Sequence, residues 1–242
     1  MGRRILIIVH QERSTPGRVG LLLRQRGYQL DIVRPPLGDK LPETLEDYAG
    51  VVIFGGPMSA NDDDINEGIA RELEWIKVPL MEKVPFLGLC LGGQLLARHL
   101  GAEVKFHPDE HAEIGYYPIE ATQAGQASYG DWPSCVYQWH REGFDVPHGG
   151  RLLATGSGSF ANQAFDYGET AIGVQFHPEV TLAMVHRWTV LAAERFSLPN
   201  VRPRHSHFSD RLIYDRAVED WLNRLLDKWL ASGDVAATTK VA

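Results

Sequence analysis

Cys90 stands between two glycines in the segment GLCLG, where an aliphatic run meets the start of a helical pattern. Glycines at Gly88 and Gly92 remove Cβ atoms that would clash in a tight strand–turn–helix connection. A cysteine in that turn lies at a helix N-terminus, where the dipole and the free N–H groups favour its thiolate. The N–H of Leu91 is then placed to donate to a developing oxyanion. A lone cysteine is more often a buried structural residue, but this context favours a nucleophile.

A thiol nucleophile needs a base, and the segment VQFHPEV supplies His177 at the end of a predicted strand. Glu179 follows two residues later, and side chains two apart in an extended segment point to the same side. Glu179 can therefore fix the imidazole tautomer while His177 faces Cys90, as the orienting carboxylate of a catalytic triad does. A surface histidine beside a glutamate is common, so this segment gains its weight from the glycine turn around Cys90.

Gly55 and Gly56 follow another aliphatic run, VVIF, and precede Pro57. Catalytic loops of open α/β sheets collect at the carboxyl ends of the strands, so we expect this loop to lie beside Cys90. Glycine lets a substrate carbonyl approach closely, and the N–H of Gly56 is predicted as a second oxyanion donor. A plain turn is the alternative that this segment alone leaves open.

The elements that must position these residues alternate between strands and helices. Strands are predicted at Ile5–Val9, Tyr28–Val33, Val51–Phe54 and Pro85–Leu89, and helices at Val19–Arg26, Ile65–Lys83 and Leu91–Leu100. This alternation predicts an α/β fold with a mostly parallel open sheet flanked by helices. From Val104 onward, short β-branched and aromatic runs between glycines and prolines predict extra antiparallel strands.

Two further helices are predicted, at Thr181–Glu194 and Arg211–Ala231. The last one has an apolar face that either packs on the protein's own core, which we favour, or on a second chain. Its members are Val218, Trp221, Leu222, Leu225, Leu226 and Trp229. We therefore predict a catalytic domain at residues 1–195, followed by a connector, a C-terminal amphipathic helix and a disordered tail at residues 196–242.

Composition limits the classes of function. The 242 residues carry a formal net charge of -7, which argues against a nucleic-acid partner because such proteins usually present a basic face. The N-terminal apolar run Ile5–Val9 is shorter than the roughly 7–15 residues of a signal-peptide core or the about 20 of a membrane span. Two cysteines without regular spacing form neither a disulfide framework nor a zinc site. We expect a cytoplasmic protein with no membrane segment.

No metal or cofactor site is predicted. His107 and His111 have the spacing of a metal-binding pair on a helix, but Pro108 argues against a helix there. The acidic run Asn61–Asp64 is typical of a solvated loop. Cys135 has no base and no glycine turn near it, and is predicted to be a small packing residue.

The G-x-C-x-G-x-Q segment at Cys90, the upstream GGP loop and the downstream His-Pro-Glu segment together resemble the class I (triad-type) glutamine amidotransferases. The resemblance spans residues 3–195, and is strongest to free-standing members similar to the glutaminase domain of GMP synthase. It implies a flavodoxin-like fold with a C-terminal helix. It also implies that Cys90 attacks the side-chain amide of glutamine, that His177 passes a proton to the leaving ammonia, and that Glu179 holds His177. A γ-glutamyl thioester would form and then be hydrolysed.

The same resemblance implies the substrate contacts. Gly56 and Leu91 would line the oxyanion hole, with Gly55 beside them as a substrate-binding residue. Gln94, one helical turn after Cys90, would contact the glutamine.

Trp139 and His140 resemble a family segment whose backbone holds the α-amino and α-carboxylate groups of glutamine. Relatives read W-H-G-D there, whereas this chain has Arg141 and Glu142 in place of the glycine and the aspartate. A bulky charged side chain at that rim makes a larger γ-glutamyl compound a second substrate hypothesis.

The leading hypothesis is therefore a glutaminase-type cysteine hydrolase that converts glutamine, a small-molecule substrate, to glutamate and ammonia. One alternative is a γ-glutamyl peptidase or hydrolase acting on glutathione-like compounds. Another is a catalytically silent regulatory subunit, against which the intact set of Cys90, His177 and Glu179 argues. The resemblance is compatible with two kinds of partner: a synthase subunit that receives the ammonia, and further copies of the same chain in a homo-oligomer.

Overall fold

A nine-stranded sheet forms the centre of the structure, a computed structural model that describes residues 4–239, with side chains to residue 233. The described residues form eleven strands, nine of them in this sheet: β1 (Arg4–Ile8), β2 (Gln29–Val33), β3 (Tyr48–Ile53), β4 (Phe86–Leu89), β5 (Val104–Phe106), β6 (Glu113–Ala121), β7 (Cys135–His140), β8 (Glu142–Phe144), β9 (Gly150–Gly156), β10 (Asn162–Tyr167) and β11 (Ala171–Val174). Their order in the sheet is β2-β1-β3-β4-β11-β10-β9-β6-β7, while β5 and β8 form a separate pair.

The sheet has a parallel and an antiparallel part. Strands β2, β1, β3, β4 and β11 are parallel neighbours, and the remaining strands pair antiparallel. Because β3, β4 and β11 run side by side in the same direction, the loops after them meet at one edge of the sheet. The predicted fold class is confirmed.

Seven α-helices are described within residues 4–239. They are α1 (Gly17–Gln25), α2 (Glu67–Trp75), α3 (Lys77–Glu82), α4 (Leu91–His99), α5 (Gln123–Tyr129), α6 (Leu182–Leu191) and α7 (Ser206–Thr239). The prediction of one helix over Ile65–Lys83 is wrong, because the segment divides into α2 and α3 at Ile76. Pro79 has no N–H to donate to the carbonyl of Trp75, so the helical bonding cannot continue through this point.

Both faces of the sheet are covered, as the unbroken aliphatic run of β1 requires. Ile5 and Ile7 pack into a core shared with α1 and α7. Leu6 and Ile8 point to the other face and pack into a core shared with α2 and α4. Within the described chain, no helix combines the length and the apolar character needed to cross a membrane.

The C-terminal helix α7 packs on the protein's own core, which confirms the favoured prediction for its apolar face. Trp221, Leu222 and Trp229 are at most 1% exposed. The helix also runs beyond the predicted end at Ala231 and reaches Thr239, so most of the predicted disordered tail has helical backbone. Gly233 lets the helix pass close to Pro85, because a Cβ atom there would lie 2.9 Å from Cγ of Pro85. Residues 240–242 of that tail lie outside the described residues.

Candidate active site

Cys90 lies in the turn between β4 and α4, with backbone φ of +51°. Non-glycine residues rarely adopt this conformation, and it persists only where the surroundings hold it. The N–H of Cys90 donates to the carbonyl of Val174 at 2.8 Å. A Cβ atom at Gly88 would lie 2.4 Å from the carbonyl oxygen of Gly92, and one at Gly92 would lie 2.1 Å from that of Ile53. The turn therefore needs both glycines, for the reason that the sequence indicates.

His177 follows β11, the strand next to β4, and its side chain is 5% exposed. Its N–H donates to the carbonyl of Tyr137 at 2.8 Å. Nδ1 of His177 lies 2.7 Å from Oε1 of Glu179, which is also buried. Nε2 of His177 is buried and bonds to no nitrogen or oxygen atom among the described residues, and Cys90 is the other group whose contact with the ring affects its protonation. The carboxylate therefore holds one ring nitrogen and leaves the other free for proton transfer.

The electrostatic environment favours a protonated His177. Burial by itself lowers the pKa of His177, but the negative charges of Glu179 and Cys90 outweigh burial and raise the pKa to about 10. A histidine with this pKa remains an imidazolium at neutral pH, and an adjacent imidazolium stabilises a thiolate.

Gly55 lies against both His177 and Cys90. A Cβ atom at Gly55 would lie 2.7 Å from Cε1 of His177 and 3.6 Å from Cβ of Cys90. The loop after β3, the turn after β4 and the segment after β11 therefore converge, as expected for neighbouring parallel strands.

Gly56 and Leu91 are adjacent at this edge of the sheet. A Cβ atom at Gly56 would lie 2.9 Å from Cδ2 of Leu91. Leu91 is the first residue of α4, so its N–H has no acceptor within the helix. The N–H of Gly56 donates to no backbone carbonyl among the described residues. The N–H of Leu91, directly after Cys90, and that of Gly56, in a loop that packs on Leu91, therefore have no backbone acceptor, and such N–H groups are suited to binding an oxyanion.

A cavity of about 510 Å³ opens over these residues. Six of the predicted site residues form part of its wall: Gly55, Gly56, Cys90, Trp139, His177 and Glu179. Three arginines, Arg13, Arg187 and Arg195, and one further carboxylate, Glu12, also contribute to the wall. The arrangement combines a thiol, an imidazole and free N–H groups with a mainly cationic rim, which is suited to acyl chemistry on a substrate that carries a carboxylate.

Gln94 and His140 lie below the cavity rather than on its wall. Nε2 of Gln94 donates to the carbonyl of Glu142 at 2.9 Å and to Oε1 of Gln175 at 3.3 Å. Nδ1 of His140 donates to the same carbonyl of Glu142 at 2.9 Å. Gln175 in turn directs Nε2 at Sγ of Cys90, at 3.7 Å. Gln94 is therefore connected to the Cys90 thiol only indirectly, by hydrogen bonds through Gln175.

Arg141 does not line the cavity, so the prediction that its side chain stands at the substrate rim is wrong. Its guanidinium lies over the ring of Phe106, 5.1 Å from the ring centroid, and the residue is exposed. Arg195, by contrast, is half-buried in the cavity wall together with the reactive groups. Burial, and next the positive charge of Arg141, lower the pKa of Arg195, whereas the negative charges of Glu194 and Cys90 raise it.

Several residues of the site escape prediction from the sequence. Gln175 could have been recognised, because it precedes His177 by two residues in an extended segment and must share its side of the strand. His10 follows the end of β1, a parallel neighbour of β3, so its place at this edge of the sheet could also have been recognised. Glu72 and Arg195 carry no local signal, since each reaches the site only through the tertiary fold.

His107, Asp109 and His111 are the described residues whose side chains come close enough to be considered for a metal ion, with ligand atoms within 4.8 Å of one another. The two imidazole rings stack with centroids 4.5 Å apart and an angle of 3° between their planes. Nitrogen lone pairs lie in the ring planes, so those of two stacked rings lie in separate parallel planes and do not converge on one ion. This geometry does not favour a metal site.

Comparison with known proteins identifies the family. The family model "Glutamine amidotransferase class-I" matches residues 21–187. The glutamine amidotransferase-like protein YfeJ of Salmonella typhimurium is 30% identical over 190 residues, covering 75% of this chain and 78% of YfeJ. A glutamine-hydrolyzing GMP synthase subunit of Sulfolobus acidocaldarius is 32% identical over 145 residues, covering 59% of this chain and 73% of that relative.

A solved structure supports the same conclusion. The crystal structure of a glutamine amido transferase from Methylobacillus flagellatus superposes with a TM-score of 0.87, at 28% identity and over 96% of both chains. The chain belongs to the class I glutamine amidotransferases. The resemblance proposed from the sequence is confirmed, and family membership supports an amide-hydrolysing or amide-transferring activity in general.

Proposed function

We propose that the protein hydrolyses the γ-amide of glutamine to glutamate and ammonia, with Cys90 as nucleophile, His177 as proton carrier and Glu179 as its orienting carboxylate. The observation that carries the proposal is the convergence of the three. His177 is held by Glu179 on one ring nitrogen, its other nitrogen is buried, and both His177 and Cys90 lie against Gly55.

In the first half of the reaction, the Cys90 thiolate attacks the amide carbon and forms a C–S bond. The carbonyl π electrons move to the oxygen, where the N–H groups of Gly56 and Leu91 would stabilise the charge. The intermediate collapses as the C–N bond breaks, and Nε2–H of His177 gives its proton to the leaving nitrogen. Ammonia leaves, and a γ-glutamyl thioester remains on Cys90.

In the second half, His177 is neutral and can act as a base. Nε2 takes a proton from a water molecule, whose oxygen attacks the thioester carbon and forms a second oxyanion at the same N–H groups. When the C–S bond breaks, its electron pair goes to sulfur, and the γ-carboxyl group formed passes its proton to ammonia or solvent as glutamate is released. The thiolate and the imidazolium are then restored, with one water consumed for each glutamine.

A second candidate substrate is a larger γ-glutamyl compound, such as a γ-glutamyl peptide. The cavity of about 510 Å³ and its three arginines favour this candidate, since they offer more room and more positive charge than the γ-amide needs. The chemistry at Cys90 is the same, and an amine leaves in place of ammonia. A catalytically silent subunit stays a third hypothesis.

The similarity to the GMP synthase subunit of Sulfolobus acidocaldarius also supports the proposal that a synthase partner receives the ammonia. Homo-oligomerisation, the cytoplasmic location and the absence of a nucleic-acid partner stay predictions from the sequence.

The proposal is tested by measuring ammonia or amine release from glutamine, asparagine and γ-glutamylcysteine. The protein is compared with Cys90→Ala and with Cys135→Ala, which removes the other cysteine. We expect turnover of a γ-glutamyl substrate that Cys90→Ala abolishes and Cys135→Ala retains. Equal rates for the protein and Cys90→Ala on every substrate would contradict the proposal. Lack of any turnover, including after addition of a synthase partner, would favour the silent subunit.

A further inference from the structure

His10 lies directly behind the loop that carries Gly56. It follows the end of β1, and its side chain is 0% exposed. A Cβ atom at Gly56 would lie 2.8 Å from Cγ of His10 and 2.9 Å from its Cβ. Replacing the glycine is therefore incompatible with this histidine, which packs on the loop without lining the cavity.

Two hydrogen bonds fix the His10 ring. Nδ1 lies 3.1 Å from the carbonyl oxygen of Gly55, and because a carbonyl only accepts, this nitrogen carries a proton. Nε2 lies 3.0 Å from Oε2 of Glu72, a residue of α2 whose side chain is also 0% exposed. The ring is thus held at both nitrogens, between the helix layer and the Gly55–Gly56 peptide.

The bond to Gly55 determines where the N–H of Gly56 points. In a trans peptide the carbonyl and the following N–H point in opposite directions, and the described chain has no cis peptide bond. The carbonyl of Gly55 is turned toward His10, so the N–H of Gly56 is turned away from it. Two consecutive glycines have wide conformational freedom, and nothing in their own side chains would keep this peptide in one orientation.

We propose that His10, held by Glu72, is a positioning residue that keeps the Gly55–Gly56 peptide in the orientation required for oxyanion binding. This inference rests on the proposed function, because it assumes that the N–H of Gly56 stabilises the oxyanion. A purely structural role is the alternative. However, a buried imidazole–carboxylate pair adds little stability over apolar side chains of similar size, whereas it does fix geometry.

The matched variants His10→Asn and His10→Gln separate the two hydrogen bonds. The amide nitrogen of Asn takes the place of Nδ1 and keeps a donor for Gly55, whereas that of Gln takes the place of Nε2 and keeps a donor for Glu72. Each variant leaves one buried partner unsatisfied, so both are expected to lower Tm. Only His10→Gln loses the bond to the loop.

We expect His10→Gln to lower kcat for the γ-glutamyl substrate by about 10- to 100-fold, as for a misplaced oxyanion donor. KM should change much less, and His10→Asn should retain most of kcat. Alkylation of Cys90 by iodoacetamide forms no oxyanion, so its rate should stay within about twofold of the unmodified protein in both variants. Equal losses of kcat in the two variants, or a matching loss of alkylation in His10→Gln, would overturn the inference.

Crystal structures of the two variants give a readout that does not depend on turnover. We expect a rotated or disordered Gly55–Gly56 peptide in His10→Gln and the original orientation in His10→Asn. An unchanged peptide in His10→Gln contradicts the inference, even where the proposed hydrolysis is demonstrated. If the unmodified protein shows no Cys90-dependent turnover, the proposed function fails, and the peptide orientation still decides the role of His10 in holding the loop.

Discussion

Cε1 of His177 lies so close to the Cα of Gly55 that a Cβ atom at Gly55 would stand 2.7 Å from it. The loop after β3 therefore forms a wall against the imidazole of His177. Glycine at this position is needed for space beside the proposed base, in addition to any contact with substrate.

Gly55→Ala is predicted to displace His177 and to lower kcat by about 100-fold, since a shift of roughly 1 Å at a catalytic group has an effect of this size. Steady-state kinetics with a γ-glutamyl substrate measure the loss. Gly101→Ala is the control. Its φ of +86° makes the substitution strained, but, apart from its chain neighbours, no atom of the described residues lies within 4 Å of the added Cβ. It should lower Tm and leave kcat unchanged. A Gly55→Ala protein with normal kcat would show that the close contact between Gly55 and the His177 ring is not needed for turnover.

The pH dependence of turnover is predicted from the environment of His177. Glu179 helps to raise the pKa of His177 to about 10, and the proposed reaction needs the protonated ring as the acid for the leaving group. Turnover should therefore fall as the pH rises through about 10. Glu179→Gln removes the negative charge, lowers the pKa of His177 and moves this alkaline limb to lower pH. It should also lower kcat by about 10²- to 10⁴-fold, because the orienting carboxylate is lost. If turnover falls at the same alkaline pH in Glu179→Gln and in the unmodified protein, His177 is not the acid that protonates the leaving group.

Arg195 is predicted to bind an anionic group of the substrate. It is half-buried in the cavity wall, and no ion pair of its guanidinium occurs among the described residues. Arg195→Gln should raise KM by about 10- to 100-fold with a smaller effect on kcat, since a charge-assisted hydrogen bond contributes about 1.5–3 kcal/mol. Arg204→Gln removes an arginine that stacks on Phe208 outside the cavity wall, and should leave KM unchanged. Equal KM values in Arg195→Gln and the unmodified protein would contradict the prediction.

The C-terminal helix is predicted to be essential for stability. Trp229 is 1% exposed, and its ring fills the space beside Gly50 in β3, where a Cβ atom would lie 2.6 Å from it. Trp229→Ala should lower the free energy of unfolding by about 3–5 kcal/mol, measured by urea denaturation. Leu212 on the same helix is 89% exposed, so Leu212→Ala should change the free energy of unfolding by less than about 0.5 kcal/mol. Similar values for both variants would mean that the helix face adds little to the core.

The fold and the convergence of the three catalytic candidates at one edge of the sheet could be predicted from the sequence because their signals are local. Glycines on either side of Cys90 and a carboxylate two residues after His177 are recognisable within a few positions. The strand–helix alternation likewise predicts which chain ends meet at one edge of the sheet. The division of the helix at Ile76 could also have been predicted, since Pro79 is visible in the sequence.

The support around the site could not be predicted in this way. Glu72 resembles any glutamate of an amphipathic helix, and only the packing of α2 brings it to His10, 62 residues earlier in the chain. Arg195 follows α6 in a segment whose sequence gives no sign of a cavity. The family resemblance assigns Gln94 to the substrate, whereas its observed contacts are with Glu142 and Gln175. Such roles depend on long-range contacts.

The central claim is that Cys90 attacks the carbonyl carbon (Cδ) of a γ-glutamyl amide. It is tested most directly by labelling with a glutamine analogue that carries a diazoketone in place of the γ-amide, followed by peptide mass spectrometry. We predict one label for each chain, located on Cys90 and absent from Cys135, with a rate that falls when glutamine or γ-glutamylcysteine is added in excess. Labelling of Cys135, no labelling, or labelling that neither compound slows would contradict it.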